Sequence, residues 1–65
     1  MRVLVNGVAR EIRAEALAGA LDELGYGGAV VATAVNGEFV AAAERERARL
    51  REGDRLEVVA PMQGG

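Results

Sequence analysis

Residues 2–13 read Arg2-Val3-Leu4-Val5-Asn6-Gly7-Val8-Ala9-Arg10-Glu11-Ile12-Arg13. The stretch predicts a β-hairpin, because Asn-Gly tolerates the positive φ angles of a type I′ turn and apolar, β-branched residues flank it. We expect strands over 2–5 and 8–13. Since side chains alternate between the faces of a strand, Val3 and Val5 share the core face with Met1, whereas Leu4 points the other way. Ile12 is the core candidate on the returning strand.

After the hairpin the apolar period changes from two residues to that of a helix. Leu17, Ala20, Leu21 and Leu24 fall at i, i+3, i+4 and i+7, which predicts an amphipathic helix over 14–24. Gly25 stands where a helix commonly ends in a left-handed residue. The helix therefore has one apolar stripe to cover a sheet.

The rest of the chain is predicted to supply three further strands. Residues 29–35 are apolar enough for a central strand, and Asn36-Gly37 forms a second tight turn into a short strand over 38–40. Residues 41–50 have helical propensity but too short an apolar stripe for a major element. A turn at 52–54 precedes a last strand over 55–60, in which Leu56 and Val58 point inward and Glu57 and Val59 outward.

The element order β-β-α-β-β-β predicts an α+β fold, a two-layer roll with one helix on a mixed sheet. Antiparallel hairpins at both ends, joined by a helical crossover, place the first and last strands side by side and parallel at the centre. This is the β-grasp arrangement. We expect one domain over residues 1–60 and a flexible tail over 61–65, released where Pro61 ends the last strand.

The composition narrows the classes of function. The 65 residues carry a net charge of −2 and contain neither Cys nor His, which removes thiol nucleophiles, the commonest general base and the usual zinc ligands. So small a chain buries only about 60% of the surface that its unfolded form exposes, so no deep pocket is expected. We therefore expect no enzyme, no metal site and no bound cofactor.

Charge and hydropathy also bear on where the protein works. The slightly acidic balance disfavours nucleic-acid binding. The longest apolar stretch, 28–35, is far shorter than the roughly 20 residues of a membrane span, and no signal-peptide pattern is present. A cytoplasmic protein without membrane contact is the expectation.

Two conspicuous stretches are predicted to carry no chemistry. Residues 44–52 alternate Glu and Arg, which is typical of a solvated face with weak ion pairs such as Glu44 with Arg47. Gly25, Gly27 and Gly28 resemble a phosphate-binding cluster, but they follow a helix rather than precede one. No helix N-terminus therefore stands behind them to bind an anion.

The remaining candidate is the diglycine Gly64-Gly65 at the end of the sequence. Glycines place no Cβ beside the terminal carboxylate, so an extended tail can enter a narrow channel, and five residues reach about 16 Å. An ionised carboxylate is a poor electrophile and must first be activated, for instance as a mixed anhydride. The tail thus predicts a partner enzyme that uses ATP.

The chain as a whole resembles the sulfur-carrier proteins of thiamine biosynthesis, a ubiquitin-like β-grasp family. The resemblance is carried by the Val-Asn-Gly strand end at 5–7, Asn36-Gly37 with its flanks, the Glu-Gly-Asp turn at 52–54 and the diglycine after Met62-Gln63. It implies a carrier acted on by partners rather than an enzyme. An E1-like adenylyltransferase would use Mg-ATP to adenylate Gly65, and sulfur from a donor protein would displace AMP to leave a thiocarboxylate.

The same resemblance implies that thiazole synthase receives the sulfur and that Gly64 is the required small neighbour of Gly65. We also expect the free chain to be a monomer. Leu4, Phe39, Val59 and Met62 are the candidates for partner docking, since Leu4 and Val59 have outward parity on neighbouring strands. Two alternatives remain open. One is the small subunit of molybdopterin synthase, which ends in the same diglycine, and the other is a β-grasp interaction module that carries no sulfur.

Overall fold

The computed structural model describes residues 1–60, which form a five-stranded mixed sheet with one α-helix packed on one face. The elements are β1 (Arg2–Val5), β2 (Val8–Glu11), α1 (Leu17–Glu23), β3 (Ala32–Val35), β4 (Glu38–Val40), a 3₁₀ helix (Ala42–Glu44) and β5 (Arg55–Val59). The strand order across the sheet is β2-β1-β5-β3-β4. The predicted α+β roll is therefore confirmed.

The centre of the sheet is the parallel pair of first and last strands, as predicted. β1 pairs with β5 in the register Leu4↔Arg55 and Val5↔Leu56. β2 and β3 flank this pair in antiparallel orientation, and β4 forms the far edge. β3 was predicted to be central; it has a neighbour on each side, but β5 holds the middle position.

The core lies between the sheet and α1. Among residues 1–60, nine apolar side chains are buried there: Val3, Val5, Ile12, Leu17, Ala20, Leu21, Leu50, Leu56 and Val58. The predicted helix stripe and the predicted inward positions of the first and last strands all belong to this set or pack against it. The alternation of side chains along the strands and the helical period of α1 thus predicted the buried faces correctly.

Both Asn-Gly turns have the predicted backbone geometry. Asn6 and Asn36 have φ angles of 50° and 51°, and the glycines that follow them have φ angles of 85° and 84°. These are the left-handed conformations that a type I′ turn requires at both central positions. Gly53, in the Glu-Gly-Asp turn, has a φ of 86°.

The helix begins later than predicted, at Leu17 rather than at residue 14. The backbone of Ala16 is extended, because the segment before the helix pairs with the connection between β4 and β5: Leu50 N donates to Glu15 O at 2.8 Å. The first helical amides are bonded to the same connection, since Leu17 N donates to Ala48 O at 2.8 Å and Ala18 N to Arg45 O at 3.0 Å. These long-range partners replace a side-chain cap.

Two strands are shorter than predicted for similar reasons. β2 ends at Glu11 rather than at residue 13: Ile12 still bonds to Met1, and the next amide, that of Arg13, donates to the Glu23 carboxylate at 2.9 Å. β3 starts at Ala32 rather than at residue 29, because Ala29 N donates to Tyr26 O in a turn. The segment 41–50 forms the short 3₁₀ helix, turns and an isolated bridge from Arg49 to Ala16, in line with its weak apolar stripe.

Candidate functional site

The face of the sheet opposite α1 carries the described residues that were predicted to dock a partner. Phe39 on β4 is 73% exposed and Val59 on β5 is 61% exposed. The register places Ala34 opposite Phe39 and Ala32 opposite Val59, so small side chains separate the two large ones. Together these four residues form what we call the outer patch.

The outer patch has a concave centre. A shallow depression of about 250 Å³ is lined by its four residues together with Asn6, Thr33 and Glu57. Exposed apolar side chains around a shallow depression are typical of a surface that binds another protein, whereas a small-molecule site is usually deeper and more enclosed. The one acidic side chain on the lining, Glu57, adds a polar contact at its rim.

Leu4 lies on the same face but outside the outer patch. It is half-buried and lines a separate groove of about 380 Å³, together with Arg55, Gly37 and Gly7. The register explains the separation: Leu4 is level with Arg55, whereas Val59 stands four residues further along β5, about 13 Å away along the strand. Glu57 and Asn6 line both depressions, so the two adjoin.

The end of β5 is the part of the site nearest to the tail. Val58 and Val59 are the last residues of the sheet before Ala60, and Val59 pairs with Ala32 of β3. On the other side, the side-chain amide of Asn6 bonds to Val58. Met62, Gly64 and Gly65, the other predicted site residues, lie outside the described residues.

The charged side chains and glycines of residues 1–60 form no metal site. Within this range no group of three or more His, Cys, Asp and Glu side chains has a geometry suited to a metal ion. The Glu-Arg run forms exposed ion pairs such as Arg47 Nη2 to Glu44 Oε2 at 3.1 Å, as predicted. The glycine cluster at 25–28 follows α1 and borders an open groove of about 450 Å³ beside Arg45.

Arg45 is a structural residue that the sequence analysis missed. Its guanidinium donates to Val31 O at 2.6 Å and to Thr33 Oγ1 at 3.1 Å. The buried Thr33 hydroxyl in turn donates to Val40 O at 2.8 Å. Arg45 therefore links the segment between β4 and β5 to β3, and its carbonyl caps α1. The sequence gives no signal of this role, because nothing in an alternating Glu-Arg run indicates that one side chain turns inward.

Glu23 is a second residue without a signal in the sequence. Its carboxylate accepts hydrogen bonds from Arg13 N at 2.9 Å and from Ala14 N at 2.7 Å. These backbone amides, Arg13 first, hold the pKa of Glu23 below its ordinary value of 4.5. The carboxylate thus terminates β2 and orients the approach to α1.

Comparison with known proteins agrees with the fold and shows the family. The model of the ThiS family matches residues 3–65. Among solved structures, the chain is similar to the thiamine biosynthesis protein (ThiS) from Geobacter metallireducens, with 28% sequence identity, full coverage of both chains and a TM-score of 0.83. No curated protein sequence matches at a significant level. In residues 1–60, no helix is long and apolar enough to cross a membrane.

Proposed function

The chain belongs to the ThiS family, and from this premise we propose that it is a sulfur carrier of thiamine biosynthesis whose last glycine carries the sulfur. The observation that carries the proposal is the family match over residues 3–65, which includes Gly64-Gly65. The similar structure, a thiamine biosynthesis protein, supports the pathway.

The proposed chemistry takes place on the Gly65 carboxylate in the active sites of partner enzymes. A carboxylate oxygen attacks the α-phosphorus of Mg-ATP held by an E1-like adenylyltransferase, and pyrophosphate leaves. Sulfide released by a donor protein then attacks the acyl carbon, expels AMP and loses its remaining proton. The product is a thiocarboxylate, which thiazole synthase uses as its sulfur source.

The geometry of the described residues is consistent with this role. β5 ends at Val59, and residues 61–65 add a reach of about 16 Å beyond Ala60 when fully extended. Without a Cβ at Gly64, the acyl group can be approached closely from either side. A partner can therefore hold the domain on its surface while the carboxylate reaches a recessed nucleotide.

Docking on the adenylyltransferase is proposed for the outer patch. Phe39 presents an aromatic ring beside a depression, and a few buried anchors of this kind carry much of the binding energy of many interfaces. Val59 presents a branched side chain beside the same depression. Leu4, in the adjoining groove, extends the proposed contact beyond Glu57, and Met62 is proposed to take part in docking as well. The patch lies at the end of β5, so docking there also brings the tail to the partner.

The test is incubation with the adenylyltransferase, Mg-ATP and the sulfur donor, followed by intact-mass and peptide mass spectrometry. We expect one oxygen-for-sulfur exchange, confined to the last peptide. A chain lacking Gly65 should accept neither AMP nor sulfur, because its carboxylate sits one residue, about 3.3 Å, too short. Its melting temperature should equal that of the intact chain.

Two results would contradict the carrier function. One is an unchanged mass when the same enzyme preparation modifies another carrier. The other is a shortened chain that still accepts AMP, since the reaction would then not depend on the terminal glycine.

A further inference from the structure

The side chain of Asn6 extends the parallel ladder between β1 and β5 beyond the point where the backbone of β1 turns away. Asn6 N donates to Leu56 O at 2.9 Å, which is the last backbone bond from this turn to β5. One step further along β5, Val58 N donates to Asn6 Oδ1 at 2.9 Å and Asn6 Nδ2 donates to Val58 O at 3.1 Å. The side-chain amide thus occupies the place of the next peptide group.

The chemistry of this contact is specific to asparagine. A carboxamide offers one acceptor and two donor hydrogens, so it can bond to both the N–H and the C=O of Val58. Asn6 also has a φ of 50°, a left-handed conformation that asparagine tolerates better than most residues. Glycine would retain the turn but lose the amide, which separates the two roles experimentally.

The contact holds the strand end from which the tail leaves. Val58 lies two residues before Ala60, and Val59 is held from the opposite side by its pairing with Ala32. Without the Asn6 amide, both backbone groups of Val58 that face β1 would lose their partner. The end of β5 would then be supported on one side only and would open more often.

We propose that Asn6 is a positioning residue for sulfur loading: it fixes the direction in which the chain leaves the sheet toward Gly65. This inference rests on the carrier function proposed above. If the end of β5 moves, the terminal carboxylate is distributed over a larger volume and is less often in the attacking position. Misplacement of a reacting group by about 1 Å can cost as much as 100-fold in rate, and we expect about a tenfold loss here.

Asn36 provides a matched control within the same chain. It has nearly the same φ, 51°, precedes a glycine in the same type of turn, and also bonds to β5 through its side chain. Its Oδ1 accepts from Arg55 N at 3.0 Å, and its Nδ2 donates to Asp54 Oδ1 at 3.0 Å. This contact holds the beginning of β5, about 13 Å from the end where the tail leaves.

The experiment compares Asn6→Gly with Asn36→Gly in the full chain. Three quantities are measured for each variant: the melting temperature, the hydrogen-exchange rate of the Val58 amide, and kcat and KM for adenylation by the partner. Because glycine adopts both φ values without strain, both variants should fold, with similar losses in melting temperature. We expect only Asn6→Gly to speed exchange at Val58 and to lower kcat about tenfold. A rise in KM with an unchanged kcat would show that Asn6 acts only through the docking depression that it lines, and it would overturn the positioning role.

Each other outcome overturns the proposal in a distinguishable way. If Asn6→Gly speeds exchange at Val58 but is adenylated at the wild-type rate, the positioning role is wrong and the carrier function stands. Equal losses of kcat in both variants would show a general effect of stability. A wild-type chain that accepts no AMP from an enzyme active on another carrier overturns the carrier function together with the role that depends on it.

Discussion

Stability and docking are expected to depend on different residues, and the variants Leu17→Ala and Phe39→Ala separate them. Leu17 is 0% exposed and is one of the largest fully buried side chains. Its truncation removes three carbons, at about 0.8 kcal/mol each, and leaves a cavity, for a loss of about 3–5 kcal/mol. Domains of this size have a total stability of about 3–10 kcal/mol, so the loss is a large fraction of it.

The thermal transition reports this difference directly. Since each kcal/mol shifts the midpoint of a small domain by about 4–8 °C, Leu17→Ala should lower the melting temperature by at least about 12 °C. Phe39 is 73% exposed, so Phe39→Ala should change stability by no more than about 0.5 kcal/mol. The melting temperatures of both variants are measured by circular dichroism at one pH and one protein concentration.

For binding to the adenylyltransferase we expect the opposite result: Phe39→Ala should weaken binding and Leu17→Ala should not. Calorimetry at a temperature where all variants are folded should give about a tenfold higher Kd for Phe39→Ala, because aromatic anchors commonly contribute 1 kcal/mol or more to an interface. Leu17→Ala should bind like the wild type. Val30→Ala is the matched control, because Val30 is 79% exposed and does not line the depression.

Two results would refute this reasoning. A melting temperature for Phe39→Ala as low as that of Leu17→Ala would mean that the exposed ring supports the fold. Wild-type affinity of Phe39→Ala would mean that the partner docks elsewhere.

Two further predictions concern the polar contacts that the sequence did not reveal. Arg45→Lys should cost about 1–2 kcal/mol in a urea titration, because an ammonium cannot reproduce both guanidinium contacts with β3, whereas Arg47→Lys, in an exposed ion pair, should be neutral. The lowered pKa of Glu23 means that its stabilising contribution is complete above pH 4.5 and is lost as the pH falls through the lowered value. Glu23→Gln should therefore flatten the decline of stability below pH 4.5, and a carboxyl pKa at or above 4.5 in an NMR titration would contradict this.

The parts of the fold that were predictable from sequence are those set by local signals. Asn6-Gly7 and Asn36-Gly37 demand positive φ angles whatever surrounds them, and both hairpins formed as expected. The alternation in the last strand likewise assigned Leu56 and Val58 to the core. Such signals involve residues close in sequence, so they do not depend on how distant segments pack.

The predictions that were wrong concern features that depend on contacts between segments distant in sequence. The bond from Leu50 N to Glu15 O keeps the segment before α1 extended, although its composition permits helix. Parity placed Leu4 and Val59 on the correct face, but only the register Leu4↔Arg55 reveals that they line different depressions. A periodic pattern gives the face of a residue and leaves its distance from a residue on another strand undetermined.

β5 links the core to the proposed reaction. It lies in the middle of the sheet, its inward side chains Leu56 and Val58 are buried, and asparagine amides bond to its backbone near both ends. The tail thus starts from a strand that is held on both sides, so the reach of the carboxylate is set by residues 61–65 rather than by movement of the domain. Substitutions in the core should then affect sulfur loading only when they loosen the end of β5 or unfold the chain.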